Sequence, residues 1–101
     1  MEQRKIRLMD EARQDLRAGQ SFYDRLQQGV GDWFWDSLIA DIESLHIHAG
    51  VHEVHFGLYR MLAKRFPYAV YYALDPEHIT VVAVLPMRRS TEWLEKQFPE
   101  R

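Results

Sequence analysis

The chain contains no cysteine, which excludes disulfide staples, thiolate metal sites and thiol catalysis and is compatible with a reducing compartment. It has no apolar run near the ~18 residues of a membrane span. The opening MEQRKIRLMDEA is too charged and turns helical too soon for a signal peptide, so a cytoplasmic location without a membrane partner is expected. A strong charge of either sign is missing too: 13 basic and 15 acidic side chains leave a net charge of −2. A protein that grips nucleic acid through many phosphates carries a much larger basic excess, because each neutralised phosphate adds a counterion-release contribution. No internal repeat, linker or low-complexity segment breaks the sequence.

What remains is 101 residues, 47% of them hydrophobic and 28% charged, the composition of one globular domain over 1–101. Such a chain buries roughly two-thirds of the surface its unfolded form exposes, enough for a single core. Residues 1–55 hold ten acids and six bases, residues 56–101 five acids and seven bases, so the second half carries the mild basic excess.

Periodicity orders the elements. Lys5 to Met9 alternates Ile6 and Leu8 with Lys5 and Arg7 and reads as a strand, with Asp10 placed to cap a helix after it. From Glu11 to about Gln28, Ala12, Leu16, Gly19, Tyr23 and Leu26 draw one apolar stripe at helical spacing. Gly29-Val30-Gly31 breaks this helix, Asp32 is placed to cap the next, and Trp35, Leu38, Ile39, Ile42 and Leu45 repeat the pattern to about His46. So short a link makes the two helices an antiparallel hairpin. After Gly50 the period changes: Glu53 to Lys64, Tyr68 to Leu74 and Ile79 to Leu85 are strand-like, joined by Arg65-Phe66-Pro67 and Asp75-Pro76-Glu77-His78. The last of these is apolar on both faces and belongs inside the sheet. Ser90 is placed to cap a short helix, Thr91 to Gln97, before Pro99. The predicted fold class is α+β: β-α-α-β-β-β with a short C-terminal helix, the helical hairpin packed on a mainly antiparallel, curved sheet.

Two local clusters stand out. His46, His48, His52 and His55 fall within ten positions, enough nitrogen for a zinc site, but they span a helix end, a turn and a strand start and match no established zinc signature. The expectation is a connecting loop with one or two imidazoles tucked under the sheet, and no metal. Glu53 and His55 share one face of a strand, as an acid and base pair or as a polar strand end. Trp33, Phe34 and Trp35 cannot all face inward from one helix, since successive residues stand about 100° apart. At least one ring is either a partner contact or packs on the hairpin's edge.

The stretch LAKRFPYAVYYAL (62–74) followed by ITVVAVLPMRRSTEW (79–93) resembles the central signature of the RelE/ParE toxin superfamily of bacterial type II toxin–antitoxin systems, the plasmid-stabilisation type. The similarity runs in order over about residues 5–95, through the Asp10-Glu11-Ala12 start of the first helix and the Phe22-Tyr23 pair. It implies a growth-inhibiting toxin silenced by a cognate antitoxin, and no cofactor. Two activities occur on this scaffold, and fold alone does not choose between them. RelE-like members cut messenger RNA on the ribosome, which needs a base, an acid and cations around a pentacoordinate phosphate. ParE-like members act by binding DNA gyrase.

Carried over residue by residue, the nuclease set is incomplete here. Where RelE-like nucleases hold the scissile phosphate with an arginine, this chain reads Pro67-Tyr68-Ala69. Their two lysines on the preceding strand match Arg60 and Leu62, so one cation survives. Arg88 matches a further arginine, and Trp93 lies near their C-terminal tyrosine but cannot exchange a proton. A different nuclease set could be drawn from Glu53, His55, Arg65 and Arg88, with Arg60. The loss at Ala69 favours a ParE-like protein binder with Arg60, Arg65, Arg88, Arg89 and Trp93 as its surface. The ribosome-dependent endonuclease and an inactive homologue serving as an interaction module remain the alternatives.

Overall fold

The computed structural model describes residues 4–98. Strand β1 (Lys5–Leu8) leads into helices α1 (Asp10–Leu26) and α2 (Val30–Glu43), a helical turn α3 (Leu45–His48), strands β2 (Glu53–His55), β3 (Leu58–Leu62), β4 (Tyr68–Leu74) and β5 (His78–Pro86), and helix α4 (Thr91–Gln97). The sheet order is β1-β5-β4-β3-β2. Only β1 runs parallel to its neighbour, the other pairs being antiparallel. This is the predicted α+β arrangement, with β5 inside the sheet as its two apolar faces required.

Both faces of the sheet are covered. Tyr68, Val70, Tyr72, Ile79, Val81 and Val84 pack against the hairpin's Leu16, Phe34, Leu38 and Ile42. On the other face Ala69, Tyr71, Ala83 and Leu85 lie under Leu94 of α4. A β-bulge makes this division possible. Tyr71 pairs with Ala83 but Tyr72 with Val81, so Val82 is an extra residue, and Val81 and Val84 reach the same face although three positions apart.

Several local expectations need correction. The stretch 53–64 is a hairpin and not one strand: Phe56 and Gly57 stand at φ 57° and 77°, the left-handed pair of a type I′ turn. Phe56 is not a turn-forming residue, but its ring stacks on Phe98 at 4.8 Å. Neither expected aspartate caps its helix. Met9 holds the first cap position, and Asp10 becomes the first helical residue, where its charge still complements the helix dipole. At α2, Asp24 accepts hydrogen bonds from the amides of Gly29 (2.9 Å) and Gly31 (3.3 Å), and Asp32 sits in the first turn accepting one from Gln20. Helix α2 stops at Glu43 rather than about His46, and Ser44, whose hydroxyl donates to the Asp41 carbonyl, separates it from α3. Leu26 is 68% exposed because the hairpin turns away before reaching it, and Phe34, not Trp35, occupies the core. Ser90 does cap α4, accepting from the Trp93 amide at 3.1 Å. Pro99 lies outside the described residues.

Candidate functional site

A cleft of about 490 Å³ opens where α1, the start of β4, the end of β5 and α4 converge. Its wall on α1 comes from the helix's outer edge, where Asp15, Ala18, Phe22 and Arg25 recur at three- and four-residue spacing. Tyr23 and Tyr68 line it, and Phe34 packs against both rings, at 5.2 and 4.9 Å, and against Phe66 at 5.1 Å. The close approach of Phe34 to α1 depends on Gly19, where a Cβ would lie 2.4 Å from the ring's Cζ.

Arg25, Arg88 and Arg89 line the cleft. The ion pairs found among the described residues are His55–Glu53 and His78–Asp75, and neither uses an arginine of the cleft. Arg89 lies over the indole of Trp93, 4.9 Å from its centroid, a geometry that holds both side chains in place. The acid in the wall, Asp15, accepts the Val84 amide at 3.0 Å and ties α1 to β5. Burial pushes the Tyr23 phenol above its ordinary value, and Arg88 partly opposes this. Tyr68 is raised chiefly by burial, then by Tyr23 and Asp15, against Arg89. Both phenols therefore stay protonated, and the cleft combines aromatic walls with positive charge.

The residues singled out from the sequence divide into two groups. Arg88, Arg89 and Trp93 line the cleft. Arg60, Glu53 and His55 belong to the β2–β3 hairpin, where His55 Nε2 lies 3.3 Å from a Glu53 oxygen and Glu53 stands opposite Arg60. Arg60 pairs with Tyr71 and Pro86 with Tyr68, so the hairpin set and the turn bearing Arg88 are separated by three residues, roughly 10 Å, along β4. Arg65 is exposed in the β3–β4 link and outside the cleft lining. Sequence reasoning missed Phe22, Tyr23 and Arg25 as site residues; the available signal was their position on and beside the α1 stripe.

The histidines separate. His46 and His48 are exposed on α3. The Gly50 amide donates to the Tyr72 hydroxyl (2.9 Å), which in turn meets His52 Nδ1 (2.5 Å), so this imidazole latches the 49–52 loop to the sheet. Burial, then His48, holds His52 below 6.5. Among the described residues no group of three or more His, Asp or Glu side chains is arranged to hold a metal ion, and no helix is long and apolar enough to cross a membrane.

No protein-family model matches this sequence, and no curated protein does. The fold is similar to a solved chain described as "Chromosomal ParDE TA system from P. aeruginosa", with a TM-score of 0.76 over 85% of this chain and 98% of that one. At 13% identity the likeness establishes the fold, the RelE/ParE-like architecture that the motif order implied.

Proposed function

We propose that this chain is the toxin of a type II toxin–antitoxin pair, that it arrests growth by docking on another protein as ParE-like toxins do on DNA gyrase, and that an antitoxin silences it by covering the cationic aromatic cleft. The observation that carries the choice is Ala69. At the position where RelE-like nucleases place their phosphate-clamping arginine, this chain has a methyl group with no exposure, packed with Tyr71, Leu85 and Leu94. A ribonuclease needs an open, cationic sheet face there, whereas here that position is hydrophobic core. Loss of such a clamp removes several kcal/mol of transition-state stabilisation. The cleft supports the binding role: three arginines beside Trp93 and Phe22 match the arginine and aromatic enrichment of protein interfaces.

Expression in a bacterium that lacks the antitoxin tests this reading. Filamentation with DNA breaks is expected, and the Arg88→Glu/Arg89→Glu double variant should relieve it. Rapid loss of translation with cut transcripts would favour the endonuclease and give the Glu53–His55 pair a chemical role. Unimpaired growth would leave the interaction module.

A further inference from the structure

Beneath α4, away from the cleft, a guanidinium and a phenol lie side by side under apolar residues. Arg60 and Tyr71 are cross-strand neighbours on β3 and β4. Tyr71 has no exposed surface, and neither its hydroxyl nor Arg60 Nε has a hydrogen-bond partner among the described residues. The Arg60 guanidinium opposes the upward effect of burial on the phenol by its charge and by reaching the hydroxyl as a donor, so the oxygen can take an arginine N–H while its own O–H, like Arg60 Nε–H, is left over. Glu53, opposite Arg60 on β2, is the acid best placed to neutralise it, yet its carboxylate turns to His55.

A buried donor left unpaired is costly. A methionine and a phenylalanine would fill nearly the same volume without that cost, so packing gives no reason for these two polar groups. Phe98, just past the end of the seven-residue α4, stacks on Phe56 and meets the Tyr71 ring edge-on, both at 4.8 Å.

We infer that Arg60 and Tyr71 are the receptor for a single carboxylate, carried by an acidic side chain of a protein partner, which enters when Phe98 moves off Phe56. The identity of the partner as a protein rests on the function proposed above; the donor pair does not. Both groups donate, one carries charge, and the planar guanidinium matches a carboxylate. The pair offers one guanidinium, so a monoanion balances its charge where a phosphate dianion would leave a negative charge over. The Phe56–Phe98 pair then flanks the entering side chain with apolar surface.

The test is an acetate titration of ¹⁵N-labelled protein at constant ionic strength against chloride, following the arginine Nε–H signals. A saturable shift of one signal is expected, and that signal should be missing in Arg60→Met. Affinity should fall roughly tenfold in Tyr71→Phe, the loss of one charge-assisted hydrogen bond. It should rise in Phe98→Ala, which removes the cover, and inorganic phosphate should bind more weakly than acetate. No saturation in either the native protein or Phe98→Ala, an unchanged affinity in Tyr71→Phe, or a preference for phosphate would overturn the inference. Arg60→Met should unfold cooperatively at the same or a higher temperature; a large loss of stability would make Arg60 a structural residue instead. Growth arrest does not enter these measurements, so their failure leaves the cleft and its partner untouched, and a harmless chain that still binds acetate at Arg60 would do the reverse.

Discussion

Replacing Gly19 by alanine should destabilise the protein although it improves the helix. In the interior of α1 the exchange gains about 1 kcal/mol of helix propensity. Against this, the new Cβ would lie 2.4, 2.6 and 3.3 Å from three carbons of the Phe34 ring, where carbon contacts are ordinarily about 3.5–4.0 Å. The ring must retreat by about 1 Å, and it has nowhere to go: Phe34 is fully buried, with Tyr23, Phe66 and Tyr68 all within 5.2 Å of its centroid. Overpacking costs about 1–3 kcal/mol, and more where neighbours cannot yield, so a gross cost of about 3 kcal/mol and a net loss of about 2 kcal/mol result. For a domain of this size that is roughly 8–16 °C in melting temperature. Urea denaturation with an unchanged m-value would measure it directly, and Phe34→Leu in the same chain should recover part of the loss because the smaller side chain leaves room for the methyl group. A Gly19→Ala protein as stable as the parent would show that the aromatic cluster yields, and the cleft walls of Tyr23 and Tyr68 would then not be the rigid surface described.

Acid should open the loop latched by His52. Because the native imidazole is held below 6.5, between that lowered value and 6.5 the unfolded chain binds the proton and the native chain does not, so stability rises with pH across this window and is lost on acidification below 6.5. His52→Gln should flatten that part of the stability–pH curve, and an unchanged slope would rule the latch out. Asp75 behaves oppositely in origin: amide hydrogen bonds from Glu77 and His78 hold it below 3.8, so its contribution is complete above 3.8 and disappears as pH falls through the lowered value, an acid limb that Asp75→Asn should remove. Leu94→Ala should cost about 2–3 kcal/mol and release α4, seen as a red shift in Trp93 fluorescence, because Leu94 is the one buried anchor of that helix.

The order of elements was legible because periodicity is a local property. Ile79 to Leu85 is apolar on both faces, and only an interior strand tolerates that; Ser90 stands one residue before a helical pattern, and it caps the helix. What failed depended on residues distant in sequence or on an unusual backbone. The turn at 56–57 puts a phenylalanine at positive φ, a choice explained by Phe98 some forty residues later. The start of α2 is held by Asp24 from the preceding helix, so the nearby Asp32 misled. Arg25 and Phe22 read as solvent-facing positions of α1 until the end of β5 and α4 are brought beside them.

The same distinction bears on function. A catalytic reading and a binding reading of this scaffold differ less in which charged residues exist than in what surrounds them. Here 15 acids are available to 13 bases, yet the ion pairs found among the described residues both use histidine. Exposed ion pairs contribute little to stability, about 0–1 kcal/mol, so folding alone gives weak reason to form them. Convergence is the more informative fact: Arg25, Arg88 and Arg89 come from two separated segments to one aromatic cleft, while the sheet face that a nuclease would keep open is filled by Ala69, Leu85 and Leu94. Under the function proposed above, the cleft's arginines stand where a partner can reach them, while apolar packing occupies the Ala69 position and leaves Arg60 as the cation of that sheet face.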